Sequence, residues 1–153
     1  MATTEFLATF TPMQQADLDA VLQIEQNAYT HPWTRAIFLD TLQSGYEAQL
    51  MKREESLLGY FVAMRGVEEV HLLNVTVAPQ YQGQGLAVIL MQAMHSWARG
   101  LSAQWSWLEV RVSNGRAIHL YERLGYSQVG QRKNYYPAGH GQREDAIVMS
   151  LQL

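Results

Sequence analysis

Cysteine is absent from the 153 residues. That excludes a disulfide scaffold, a thiolate nucleophile and any Cys-ligated zinc or iron–sulfur site, and it agrees with a reducing compartment. No run approaches the roughly 18 consecutive apolar residues of a membrane span. The opening MATTEFLATF has neither a basic stretch nor a long apolar one, so it does not read as a signal peptide. A basic excess is missing too: 11 Lys and Arg stand against 14 Asp and Glu, a net charge of −3. This argues against direct nucleic-acid binding and leaves room for a basic partner. Low-complexity segments, charge blocks and internal repeats do not occur. His31, His71, His95, His119 and His140 show no paired ligand spacing, so no metal is expected. What is present is a chain 48% apolar. Its length suits one domain of roughly 100–200 residues. Residues 1–153 are therefore expected to form a single cytoplasmic domain with no membrane attachment.

The hydrophobic period changes along the chain. Phe6, Ala8 and Phe10 alternate as a short first strand. Thr11-Pro12-Met13-Gln14 has capping-box spacing, with Pro12 suited to the first helical position. Leu18, Val21, Leu22, Ile24 and Glu25 continue at helical spacing to about Ala28. His31-Pro32-Trp33 breaks that helix, and Thr34 can cap a second, short one. Tyr46–Lys52, Leu57–Met64 and Val70–Val77 read as strands joined by short polar turns, an antiparallel meander. A glycine-rich stretch follows, then a helix with Leu86, Ile89, Leu90, Ala93, Met94 and Trp97 on one face. Trp105–Val112 is a strand, Ser113 or Asn114 can cap another helix, and Tyr126–Arg132 and Ala146–Leu151 are the last strands. The order β-α-α-β-β-β-α-β-α-β-β predicts an α+β fold, with a mixed central sheet of about seven strands and about four helices on its faces. The seven methionines read as core filling.

The most informative local feature is Val75-Thr76-Val77, the loop Ala78–Gly85, and the helix that follows. A strand leading into a glycine loop and a helix start gathers free backbone N–H groups, and the helix dipole adds positive charge there. Such a place suits a phosphate or pyrophosphate. Gly83 and Gly85 let a ligand approach the backbone without a Cβ in the way, or simply make a tight turn. The loop lacks the Lys-Ser or Lys-Thr ending of a P-loop. Val88 breaks the dinucleotide-binding glycine pattern, which in any case follows the first strand of a parallel unit.

Gln82-Gly83-Gln84-Gly85-Leu86-Ala87 resembles the acetyl-CoA loop of the GCN5-related N-acetyltransferases (GNAT). The resemblance extends through Leu72–Pro79, similar to that superfamily's fourth strand. It continues through Asn114, Ala117, Leu120-Tyr121 and Leu124-Gly125-Tyr126. Glu25 with His31–Thr34, Trp107–Arg111, Asn134–Pro137 and Arg143–Ala146 resemble the RimI-type ribosomal-protein-alanine N-acetyltransferases within it. The resemblance implies direct acetyl transfer from acetyl-CoA, in a ternary complex, to a protein N-terminal amine. The partner it implies is a small-subunit ribosomal protein beginning with alanine. It implies cofactor contacts from Val75, Thr76, Val77, Gly83, Gln84, Gly85, Leu86, Ala87, Val88 and Asn114, with Glu109 as general base and Tyr121 as general acid. A backbone N–H near Val75–Val77, where the superfamily strand bulges, would serve the carbonyl oxygen. Gly83 and Val88 stand where those relatives often have basic residues, which leaves the phosphates to the backbone amides.

Read from the residues alone, these positions stay open. Glu109 is either a solvated carboxylate paired with Arg111, or a base whose pKa is raised by neighbouring indoles. Tyr121 shares a helix face with Ile118 and Leu124 and could be core. Asn114 can cap its helix, touch the cofactor, or do both. Tyr135, Tyr136 and Trp33 could wall a peptide groove or cover a sheet end. Other readings are transfer to a small-molecule amine or a lysine, or a non-catalytic acyl-CoA-binding module.

Overall fold

The computed structural model describes residues 8–153. The elements run β1 (Thr9–Pro12), α1 (Leu18–Ala28), α2 (Arg35–Gln43), β2 (Glu47–Arg53), β3 (Ser56–Arg65), β4 (Glu69–Val77), α3 (Leu86–Gly100), β5 (Trp105–Arg111), α4 (Gly115–Arg123), β6 (Ser127–Pro137) and β7 (Arg143–Gln152). The strands form one sheet in the order β1-β2-β3-β4-β5-β7-β6. Among the described residues only β4 and β5 pair in parallel. The predicted α+β architecture is borne out. Phe6 lies outside the described residues.

Local chemistry explains most boundaries. The Thr34 hydroxyl accepts the Ile37 N–H at 3.3 Å and starts α2. Asn114 Oδ1 accepts the Ala117 N–H at 3.2 Å and starts α4. Both supply acceptors to helix N–H groups that would otherwise lack them. Leu86, Leu90, Met91, Met94 and Ala98 are buried on α3 at spacings of three and four, the stripe of a helix lying on a sheet.

The sheet divides two apolar clusters. One face carries α3 with Val70, Leu72, Leu108, Val110 and Met149; the other carries α1 and α2 with Leu18, Val21, Phe38, Leu50 and Tyr60.

Two expectations fail locally. Pro12 does not open a helix: it closes β1, pairing with Gln49. An edge strand tolerates a residue with no N–H to give. The turn forms three residues later, capped at Gln14 rather than Thr11, where the Asp17 carboxylate accepts the Gln14 N–H at 2.8 Å. The last hairpin is also longer than its hydrophobic pattern suggests. Between Arg132 and Tyr136 the register of β6 shifts. Asn134 there adopts φ +51°. Asp145 accepts the Asn134 N–H at 2.9 Å and the Lys133 ammonium at 3.1 Å, while Arg143 donates to the carbonyls of Asn134 and Tyr135. These bonds hold the bulge, so pairing resumes beyond it.

Candidate active site

The β4–β5 ladder covers only Glu69–Leu72 against Trp105–Leu108. Both strands continue, β4 to Val77 and β5 to Arg111, without further pairing to one another. The sheet is therefore split at its centre. A bulge lies on β4: Val62 faces Asn74 and Ala63 faces Leu72, leaving Leu73 extra. An extra residue reverses the alternation of side chains. Val70 and Leu72 pack on the α3 side, Leu73 and Asn74 both turn to the α1 side, and Val75 returns to the α3 side. The bulge thus precedes Val75–Val77 rather than falling within it, as the sequence reading had it.

The main-chain edge of β4 is open at the split. The Val75 carbonyl is held by the Tyr29 hydroxyl at 3.0 Å, and the Val77 carbonyl by Gln82 Nε2 at 3.3 Å. In an antiparallel pair a residue exchanges both of its bonds with the partner strand or neither. The N–H groups of Val75 and Val77 therefore point into the split along with their carbonyls.

A groove of about 750 Å³ runs from this opening between α3 and α4. Val75, Val77, Gly83, Gly85, Leu86, Ala87, Val88, Asn114 and Tyr121 line it. Thr76 and Gln84 do not: the Thr76 hydroxyl turns to the opposite face and donates to Asn74 Oδ1 at 2.7 Å. Gly83 and Gly85 have φ +81° and +78°, with nothing within 4 Å of an added Cβ. Backbone conformation therefore demands glycine there. Gly85 stands at the cap of α3 with no side chain bonded across the helix start, which leaves the first amides of α3 free.

Sequence reading missed the basic side chains of this groove. Arg116, His119 and Arg123 line it from α4. Their spacing of three and four along one helix was a legible signal. The two arginines supply positive charge that the loop lacks at Gly83 and Val88. The residues present therefore fit a phosphate-bearing cofactor. Tyr29, from the end of α1, lines the groove as well.

Tyr121 is 8% exposed, its ring edge-on to Tyr126 with centroids 5.9 Å apart. Among the described residues no protein group bonds its hydroxyl. Burial holds its pKa above the ordinary phenol range, with Tyr29, Tyr126 and Tyr136 adding to the shift. The phenol stays protonated and aimed at the groove.

Glu109 occupies the first position past the last rung of the ladder, on the face of β5 away from α3. It does not line the groove. His71 Nε2 lies 2.6 Å from Oε2, and Arg132 Nε donates to Oε1 at 3.1 Å. Burial pushes the carboxyl pKa up, but His71 and Arg132 together outweigh it and leave it lowered. This reverses the expected upward shift. The opposing cation is not Arg111, whose Nη1 bonds Glu144 and the Pro137 carbonyl at 2.8 and 2.7 Å.

Arg111 also stacks 4.5 Å from the Tyr136 ring, and Arg132 lies 5.5 Å from that of Tyr135. The two tyrosines stand edge to face at 4.9 Å. Trp33 does not join them. It packs on Phe38 at 5.2 Å and lines a separate depression beside Asp19 and Arg35. Asn114 takes the capping role, and also lines the groove. Among the described residues no cluster of three metal-ligating side chains occurs, and no helix is long and apolar enough to cross a membrane.

The sheet is thus split beside a glycine-turned helix start, with a phenol set into the resulting groove. The chain belongs to the acetyltransferase (GNAT) family, whose model matches residues 18–126. It is 34% identical over 145 residues to the ribosomal protein bS18-alanine N-acetyltransferase of Escherichia coli strain K12, covering 95% of this chain and 97% of that one. The enzyme of the same name from Haemophilus ducreyi is 35% identical over 141 residues, 91% of this chain and 96% of that one. The crystal structure of the ribosomal-protein-S18-alanine N-acetyltransferase from Escherichia coli superimposes with a TM-score of 0.87 at 34% identity. That match covers 95% of this chain and 94% of the other.

Proposed function

We propose that residues 1–153 act as one cytoplasmic N-acetyltransferase domain, carrying acetyl from acetyl-CoA to the α-amine of an N-terminal alanine on a small-subunit ribosomal protein. The observation that carries the reaction class is the split between β4 and β5, which joins an amide-lined groove on one face to a carboxylate on the other. The acceptor is inferred from the relatives in Escherichia coli and Haemophilus ducreyi, whose names specify bS18 alanine.

In this reading the free amides of α3 and the α4 arginines bind the phosphates, and Val75 and Val77 line the acyl end. Glu109 accepts a proton from the amine. The reference pKa of an N-terminal amine is about 7.7–8.0, so a neutral fraction is already present near neutral pH and a single proton transfer suffices. The Val75 N–H faces the developing oxyanion. Tyr121 gives its proton to the departing thiolate and regains one from the medium. The amine nitrogen forms one bond to the carbonyl carbon as the carbon–sulfur bond breaks. Tyr135 and Tyr136, stacked on arginines, form a stiff wall beside Glu109 where the peptide enters.

The test is mass spectrometry of peptides incubated with the protein and acetyl-CoA. A peptide beginning Ala-Arg should gain one acetyl group at its α-amine, and the same peptide with a blocked N-terminus should gain none. Acetylation at lysine alone, or of small amines alone, would reject the N-terminal reading. Binding of acetyl-CoA without transfer to any amine would make the fold a non-catalytic binder.

A further inference from the structure

The contact between His71 and Glu109 has no part in the reading above, and it joins two strands at the point where they separate. His71 stands on β4 opposite Trp107, two rungs before Glu109 on the parallel ladder. Val70 and Leu72 belong to the α3 cluster, so His71 faces the other side of the sheet, as Glu109 does. Nε2 and Oε2 meet at 2.6 Å across the opening. The Glu109 side chain is 8% exposed and that of His71 is 28% exposed. The carboxylate is thus screened from solvent and the imidazole is not.

We propose that His71 is a positioning residue for the transfer. Its imidazole holds the Glu109 carboxylate at the opening. The proposal rests on the reading of Glu109 as base.

The geometry supports this. Among the described residues each carboxylate oxygen has one protein partner, Arg132 on Oε1 and His71 on Oε2. Of these only His71 reaches Glu109 across the opening between β4 and β5, since Arg132 stands on β6. Two partners on two oxygens fix the carboxylate plane, and loss of His71 would leave Oε2 without a protein partner. The other groups around the pair offer it no third partner. On β6, Tyr136 is pushed up to about 12 by burial first, with Glu109 adding to the shift. On β5, Arg111 is engaged by Glu144 of β7. The partner of His71 on β3 is Met64 and that of Glu109 on β7 is Val148, both uncharged.

The test is kcat for the acceptor peptide in two variants. His71→Gln keeps a donor facing Glu109, so its kcat should stay within about three-fold of wild type. His71→Ala should lose about ten-fold in kcat with unchanged acetyl-CoA affinity. Full kcat in His71→Ala, or an equal loss in both variants, would overturn the positioning. The Glu109 carboxylate carbon resonance, followed by NMR, should move in His71→Ala and stay near its wild-type place in His71→Gln, and an unmoved resonance in His71→Ala would also reject the pairing. This readout needs no turnover. Full activity in Glu109→Gln, with the NMR shift present in His71→Ala, would instead remove the base role and leave the pairing intact.

Discussion

At the scale of single residues, burial does opposite things to the two proton-handling groups. Tyr121 loses water and gains no protein bond, so its proton is held more tightly. Glu109 loses water and gains two partners, His71 and Arg132, whose combined effect outweighs burial, so its proton is given up. A donor and an acceptor result, each fixed in its state before substrate arrives. Removing the Tyr121 hydroxyl breaks no protein hydrogen bond and leaves the ring on Tyr126. Tyr121→Phe should therefore fold as the wild type does and bind acetyl-CoA with the same affinity by calorimetry. Turnover should fall by roughly 10²–10⁴, the usual contribution of a positioned acid. Equal turnover would take Tyr121 out of the proton path. Such residue roles were only half legible in the sequence. Tyr121 lies within a local pattern, Leu120-Tyr121-x-x-Leu124-Gly125. The partners of Glu109 do not: His71 is 38 positions away and Arg132 is 23. His71 meets it because β4 and β5 align Leu72 with Leu108, and Arg132 because β7 pairs with both β5 and β6, registers that no local pattern encodes.

At the scale of elements, the split in the sheet depends on β3 and β4 staying tightly paired behind it. Gly59 on β3 faces Val77 on β4. A Cβ at Gly59 would lie 2.3 Å from the Thr76 carbonyl oxygen and 3.2 Å from Val77 Cα. Both obstacles are main chain and cannot rotate aside. Gly59→Ala should therefore push β4 outward at the rung that lines the groove. The expected cost is about 1–3 kcal/mol of stability, the range for overpacking, read as a lower urea midpoint, with weaker acetyl-CoA binding alongside. An unchanged midpoint would show that β4 yields without strain. The elements themselves were mostly readable, because period and caps are local: Thr34 and Asn114 were identified as caps and act as caps. What escaped depended on pairing. Pro12 fits a helix start by sequence, but β2 recruits it into β1. The extra residue at Leu73 and the bulge at Lys133–Tyr135 leave no mark on the hydrophobic alternation, since each is defined only against its neighbouring strand.

At the scale of the whole molecule, each face of the sheet carries one buried polar knot within its apolar cluster. On the α1 side Glu25, 1% exposed, accepts the Trp33 N–H, the Tyr60 hydroxyl and Asn74 Nδ2 at 2.9, 2.7 and 3.1 Å. It ties the α1–α2 turn to β3 and β4 just beyond the bulge. On the α3 side the Tyr126 hydroxyl joins His95 Nε2 at 2.8 Å and Ser106 Oγ at 2.7 Å, linking α3 to β5. The second knot makes the fold sensitive to mild acid. Burial first, and Arg99 second, lower the His95 pKa from 6.5 to about 4. Between those values the unfolded chain binds a proton that the folded chain refuses, so stability rises with pH across that window. The contribution is fully present above about pH 6.5 and is lost as pH falls toward 4, a total of about 3 kcal/mol at 1.36 kcal/mol per pKa unit. The lowered carboxyls of Glu109, Glu144 and Asp145 respond only further down, because their ordinary values already lie near or below 4.5. Urea unfolding at fixed pH should thus show wild-type stability declining from pH 6.5 to 4.5. His95→Gln, less stable at neutral pH, should be nearly flat over the same range. Parallel declines in the two proteins would move the acid sensitivity away from His95.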